Sequence, residues 1–194
     1  MMAGAGEHAL TYIFYHPSME GLANRIASDK AYSSRVRLGR IGWSSFADGF
    51  PNLKIDAEDA AAMTDSQCDV AFLAALDDPA TLFEQLAVIY ALPRMRAGNF
   101  KVFVPYFAVG TMERVDSLGQ IATAATMARL LSAIPLCATG PSSVVIYDIH
   151  ALQEQFYFAD AVLVQLKSAA YVSLRETSPR DAIADRCIAR AIHS

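Results

Sequence analysis

Four short apolar runs, Leu10–Tyr15, Val70–Leu76, Phe100–Phe107 and Val144–Ile149, do most to limit what this chain can fold into. None shows the clean alternation of a strand with one wet face, so each reads as a strand buried on both sides, the usual condition of a central parallel strand. The segments between them carry a helical period: Leu82, Leu86 and Ile89 share a face within Pro79–Gly98, as do Ile121, Ala124, Ala128 and Leu131 within Gly119–Ile134. Strand and helix in alternation predict an α/β fold built on a doubly wound, mostly parallel sheet. A first helix is expected over Ser18–Lys30, with Ser18 as N-cap and Glu20 near the positive end of the helix dipole. The composition agrees: 54% hydrophobic and only 19% charged residues suit a sheet covered on both faces. At 194 residues there is room for one ordinary domain, or one domain with a tail, but not for two full catalytic domains.

The pattern changes between Arg35 and Ala57, where Val36, Leu38, Trp43 and Phe46 scatter among Arg, Gly and Ser, and Leu53 and Ile55 alternate with polar neighbours. Two antiparallel edge strands around a turn are predicted. The turn, Phe46-Ala47-Asp48-Gly49-Phe50-Pro51-Asn52, is dense in turn formers and enclosed by aromatics. It reads either as an ordinary hairpin tip or as a flap whose rings and carboxylate contact a nucleobase or a neighbouring subunit. Ala161–Tyr171 reads as a further amphipathic segment, and Ser178-Pro179 opens a short helix over Arg180–Ile192.

Several functions are disfavoured. A formal charge of −4 makes a poor electrostatic trap for nucleic acid. No apolar stretch reaches the roughly 18 residues of a membrane span, and Met1–His8 lacks the features of a signal peptide, so a cytoplasmic protein without membrane contact is expected. Cys68, Cys137 and Cys187 are widely spaced and read as buried reduced thiols. No Gly-x-x-x-x-Gly-Lys or Gly-x-Gly-x-x-Gly sequence occurs, no serine has the setting of a nucleophile elbow, and His8, His16 and His193 fall at unremarkable places.

Two places carry chemistry. The run Val144–Ile149 ends in Asp148-Ile149-His150, and alternate strand residues share a face, so this carboxylate and imidazole converge at the carboxyl edge of the sheet, where open α/β folds bind ligands. They suit a hydrated Mg²⁺ or a phosphate; the competing reading is a capping Asp and a hydrogen-bonded His at the end of a core strand. The loop Pro105–Asp116 leaves a buried strand and enters a helix near Gly119, a setting in which backbone N–H groups, the helix dipole and Arg114 favour an anion. Its competing reading is a solvated loop with one surface ion pair. Phe46–Asn52, Gly110–Asp116 and Asp148–His150 would all gather on one side of a doubly wound sheet.

In this order the segments resemble the ribose-phosphate pyrophosphokinases, over about Leu10 to Ala170. Phe46-Ala47-Asp48-Gly49 is similar to the family's nucleotide-binding flap, Pro105-Tyr106-Phe107 to the start of its ATP loop, and Asp148-Ile149-His150-Ala151-Leu152-Gln153 to its Mg²⁺-binding Asp-x-His-x-x-Gln motif. The wording Gly-Thr-Met-Glu-Arg, Phe-Ala-Asp-Gly-Phe-Pro-Asn-Leu and Asp-Ile-His-Ala-Leu-Gln-Glu-Gln-Phe-Tyr-Phe is most similar to the plant-type branch, which does not depend on activation by phosphate. Thr111 and Met112 stand where the commoner branch has Arg-Gln, and Phe50 where it has Glu.

The resemblance implies a phosphoribosyltransferase-like fold with a small antiparallel flap. It implies nucleotide binding by Phe46, Asp48, Glu113 and Arg114, Mg²⁺ on His150, and catalytic roles for Arg114 and His150. The reaction implied moves diphosphate from Mg-ATP to ribose 5-phosphate, giving phosphoribosyl pyrophosphate and AMP. The second, similar domain of that family, with its Asp-Asp loop and Thr/Ser-Gly-Thr for ribose 5-phosphate, its second Mg²⁺ carboxylate and its basic catalytic loop, has no counterpart in this sequence. The expected organisation is therefore an amino-terminal family-like domain over residues 9–170 and a divergent or truncated tail over 171–194. Such a chain is either an enzyme completed by a second domain or a non-catalytic nucleotide-binding or regulatory subunit; a redundant fragment is the third reading. A homo-oligomer, or a hetero-oligomer with full-length relatives, is implied by a flap that reaches a neighbour.

Overall fold

The computed structural model describes residues 10–66, 68–95, 97–112, 114–147, 157–158 and 162–167. In chain order they form β1 (Thr11–Tyr15), α1 (Glu20–Ser28), β2 (Val36–Leu38), β3 (Ile41–Ser45), β4 (Pro51–Ile55), α2 (Ala57–Ser66), β5 (Asp69–Leu73), α3 (Leu82–Ala91), β6 (Phe100–Val104), α4 (Thr123–Ser132), β7 (Ser143–Tyr147) and β8 (Leu163–Lys167). Six strands make one parallel sheet in the order β2-β1-β5-β6-β7-β8, while β3 and β4 form a separate antiparallel pair.

The apolar runs lack alternation because both faces of the sheet are covered. Tyr12, Phe14, Phe72, Val102, Val144 and Ile146 enter one buried cluster with Met63 of α2, Val88 and Ile89 of α3, and Met127 and Leu131 of α4. Their neighbours Ile13, Ala71, Leu73, Phe103 and Val145 enter a second cluster with Leu22, Ala23 and Ile26 of α1. Register keeps the rows aligned across the sheet, Phe14 opposite Phe72, Phe72 opposite Val102, and Val102 opposite Val144. Topology dictates which helix lies where. The chain steps outward from β1 to β2, then returns across β1 to β5 and proceeds the other way, and right-handed crossovers in opposite directions place their helices on opposite faces. The reversal lies between β1 and β5, the kind of place where open α/β sheets leave a ligand-binding crevice at the carboxyl ends of their strands.

The expected α/β architecture with a small antiparallel pair is thus the observed one, with four local corrections. Val36–Leu38 is a parallel edge strand of the main sheet, and the antiparallel pair is Ile41–Ser45 with Pro51–Ile55. The predicted N-cap Ser18 lies inside a 3₁₀ turn, Pro17–Met19, whose cap is His16, and α1 begins at Glu20. Ala57–Ser66, not anticipated from the sequence, is helical: the Asp56 carboxylate accepts from the Glu58 N–H at 3.0 Å, and Glu58 and Asp59 occupy the first turn. Leu163–Lys167 is a strand paired with β7. The helix predicted over Arg180–Ile192 lies outside the described residues. Among those described, no helix is long and apolar enough to cross a membrane, and Cys68 and Cys137 are buried.

Candidate functional site

The β3–β4 hairpin leans over the carboxyl edge of the sheet at the β1/β5 reversal. Trp43 of β3 packs edge-on against His16, just past β1, with ring centroids 5.3 Å apart, and lies 6.5 Å from Phe72 of β5. At the tip, Phe50 meets Phe83 in the first turn of α3 at 6.4 Å, again edge to face. The root is held by charge. Arg40, immediately before β3, donates through Nη2 to Asp56 at 2.8 Å and Glu58 at 3.1 Å, and through Nε to Asp59 at 3.3 Å. Its backbone N–H also reaches Asp59 at 2.9 Å, so both ends of the hairpin close on the start of α2. Hydrogen bonds from Glu58 and Asp59, then the charge of Asp56, raise the guanidinium pKa further above its ordinary value.

The tip displays the two side chains that the sequence singled out there. The Phe46 N–H donates to the Phe50 carbonyl at 2.8 Å, the Gly49 N–H to the Phe46 carbonyl at 3.0 Å, and the Phe50 N–H to the Asp48 carboxylate at 3.1 Å. Gly49 supplies the left-handed φ of 87° that the turn requires. Phe46 is 56% exposed and Phe50 64%. A flap of this kind can offer a ring face and a carboxylate oxygen to a flat polar ligand, since only one Asp48 oxygen is engaged by the turn.

Arg114 follows a 3₁₀ turn, Ala108–Met112, that leaves β6 on the same edge of the sheet. Its Nε pairs with Asp116 at 3.0 Å, both side chains being about two-thirds exposed at 70% and 66%. This is the surface pair that competed with the anion-clamp reading, and α4 starts later than expected, at Thr123, with no side-chain cap. Glu113, Asp148 and His150 lie outside the described residues. Among the described residues no group of three or more His, Cys, Asp or Glu is arranged to hold a metal ion.

The edge of the sheet at the β1/β5 reversal holds residues that sequence reasoning passed over. His16 Nδ1 accepts from the Ser18 hydroxyl at 2.8 Å and from the Ser18 N–H at 3.4 Å, which leaves the proton on Nε2, 3.4 Å from Glu84 of α3. Fully buried Gln85 clamps the loop after β5, accepting from the Ala75 N–H and donating to the Ala75 carbonyl, both at 2.8 Å. Tyr15, at the end of β1, has its hydroxyl pKa raised by burial and then by Glu20. The signal for His16 was its place at the end of an apolar run, the same argument that singled out His150.

No family model matches the chain. It is 50% identical over 153 residues to ribose-phosphate pyrophosphokinase 4 of Arabidopsis thaliana, covering 78% of this chain and 43% of that protein. It is 45% identical over 163 residues to the chloroplastic ribose-phosphate pyrophosphokinase 3 of Oryza sativa subsp. japonica, covering 84% and 38%. Identity to the ribose-phosphate pyrophosphokinase of Clostridium perfringens is lower, 29% over 135 residues, covering 69% and 39%. The crystal structure of phosphoribosylpyrophosphate synthetase from Mycobacterium smegmatis superposes with a TM-score of 0.64 at 23% identity, covering 82% of this chain and 49% of that one, and shows the same fold. The chain thus spans less than half the length of these relatives.

Proposed function

This chain belongs to the ribose-phosphate pyrophosphokinase family, on the side of its plant members, and from that premise we propose that it forms the ATP-binding part of a ribose-phosphate diphosphokinase. The reaction would be attack of the ribose 5-phosphate 1-hydroxyl on the β-phosphorus of Mg-ATP, releasing AMP. The kinship over most of the chain carries this reading. The sugar-phosphate loop has no counterpart in these 194 residues, so further chain or a partner would supply it. Residues 9–170 are taken as the family-like domain and 171–194 as a divergent tail.

In this proposal the Phe46 ring and the Asp48 carboxylate at the tip contact the nucleobase, Glu113 belongs to the ATP loop, and Arg114 clamps phosphate. Support for Arg114 is chemical: an ion pair this exposed contributes at most about 1 kcal/mol, so phosphate can displace Asp116 from it at little cost. His150 is assigned to Mg²⁺ because Asp148-Ile149-His150-Ala151-Leu152-Gln153 resembles the family's Mg²⁺-binding motif. Such a site works by positioning and by electrostatic stabilisation of charge on the transferred group rather than by covalent chemistry.

The compartment proposed is the cytoplasm, although relatives' names place one in the chloroplast and one in the mitochondrion. The exposed Phe46, Phe50 and Phe83 favour a second reading, a nucleotide-binding subunit that assembles with copies of itself or with full-length relatives. Calorimetry with Mg-ATP tests the binding, and His150→Ala the metal assignment, which unchanged affinity would discard. Release of AMP on adding ribose 5-phosphate supports the enzyme over the subunit. A chain that binds no Mg-ATP refutes both.

A further inference from the structure

The hairpin shares no strand ladder with the six-stranded sheet, so side chains decide how it sits. Most of those contacts are apolar: Ile41, Leu53 and Ile55 rest against the core without any preferred angle. The contact between His16 and Trp43 differs, because the interplanar angle of 78° is the directional edge-to-face arrangement of aromatic rings. The imidazole cannot turn freely to accommodate a shifted indole. Ser18 occupies Nδ1 and Glu84 faces Nε2, and the histidine side chain is only 12% exposed.

We propose that His16 is a positioning residue that seats the β3–β4 hairpin on the carboxyl edge of the sheet and thereby fixes the tip bearing Phe46 and Asp48. The first turn of α3 is the common seat: Phe83 receives Phe50 from the tip, and the adjacent Glu84 holds the ring against which Trp43 rests. The imidazole meets Glu84 on α3, Ser18 on its own segment and Trp43 on β3. The role in nucleotide binding rests on the function proposed above, whereas the seating itself does not.

The chain contains a single tryptophan, so its fluorescence reports on the surroundings of Trp43. Trp43 emission from the folded full chain should shift in His16→Gln, whose side chain is polar but offers no ring to the indole. In His16→Ala, checked for folding by circular dichroism, acrylamide should gain access to Trp43. An unchanged Trp43 emission spectrum in His16→Gln, or unchanged acrylamide access in His16→Ala, overturns the seating. Mg-ATP affinity should fall severalfold in His16→Gln, and wild-type affinity there overturns the positioning role. A wild-type chain that binds no Mg-ATP would instead refute the proposed function, leaving Trp43 emission and acrylamide access to decide the seating.

Discussion

Replacing Gly39 by Ala should destabilise the protein by about 3 kcal/mol, the upper end of what an extra carbon in a packed interior costs. Gly39 immediately follows β2, its N–H donating to the Ile13 carbonyl at 2.9 Å, and the next residue, Arg40, leads into the hairpin. A Cβ at this position would lie 2.3, 2.5 and 2.6 Å from three carbons of the Phe14 ring. Carbon atoms rest at roughly 3.5–4.0 Å, so ring and strand must separate by more than about 1 Å. Phe14 has nowhere to go: it is fully buried and stacked on Tyr12, with centroids 6.4 Å apart. Backbone strain contributes nothing, because Gly39 is not among the glycines with positive φ.

Thermal melting followed by circular dichroism measures this directly. For a chain of this size 1 kcal/mol moves Tm by roughly 2–4 °C, so a drop of about 6–12 °C is expected, with a lower urea midpoint and an unchanged m-value. Gly49→Ala is the control, since Gly49 has φ 87° and nothing within 4 Å of the added carbon. Its cost is the left-handed conformation alone, about 1–2 kcal/mol. In a Phe14→Leu background the Gly39→Ala penalty should shrink, because the two sites share one volume. A Gly39→Ala loss no larger than that of Gly49→Ala, or strict additivity with Phe14→Leu, would refute the packing argument.

Gln85→Leu keeps the volume but strips both partners from Ala75, and should cost about 2–4 kcal/mol in urea titration, since each buried backbone group left unpaired costs about 1–3; a loss under 1 would mean that water replaces the clamp. Tyr90 donates its hydroxyl to the Leu130 carbonyl, tying α3 to α4, so Tyr90→Phe should cost about 1 kcal/mol at neutral pH. Burial holds the Tyr90 pKa above the ordinary 10.0. Its contribution is therefore whole below that value and lost as pH rises through the folded one, so stability above pH 10 should fall less steeply in Tyr90→Phe; parallel profiles would contradict this. Phe46→Ala should weaken Mg-ATP binding by roughly tenfold, the worth of one stacked base, and leave Tm unchanged because the ring is exposed; unchanged affinity in calorimetry would remove the flap from the site.

The strands were legible because a sheet covered on both faces leaves a local trace, a short unbroken apolar run, and every such run holds a strand. Boundaries ran long where the chain stays buried beyond the strand: Ala74, Ala75 and Leu76 are buried but follow the end of β5. Val36–Leu38 was misassigned because three residues are too few to show a period, and its place is set by long-range bonds, Thr11 N–H to the Arg35 carbonyl and Gly39 N–H to the Ile13 carbonyl. The signal for α2 was present and unread: Asp56 followed by Glu58, Asp59 and a run of alanines is a cap, an acidic first turn and good helix formers. Within the candidate site, the tip was legible because its turn chemistry is local.

Partnerships were not legible, and the two histidines at strand ends show why. His150 drew notice because Asp148 stands two residues away and a strand sets such residues on one face. His16 has no carboxylate so near. Its neighbours come from α3 and β3, and only the reversal of the sheet between β1 and β5 brings Glu84 and Trp43 to the end of β1. The same long-range closure gives the hairpin its purchase: Arg40 gathers Asp56, Glu58 and Asp59 only after the β3–β4 ladder has returned the chain to its starting point. A rigid root and a directional contact at Trp43 leave the exposed rings at the tip with little freedom of their own. A nucleotide that met them would then pay less ordering entropy than on a loose loop. The hairpin can therefore serve as a reading surface although it belongs to no larger sheet.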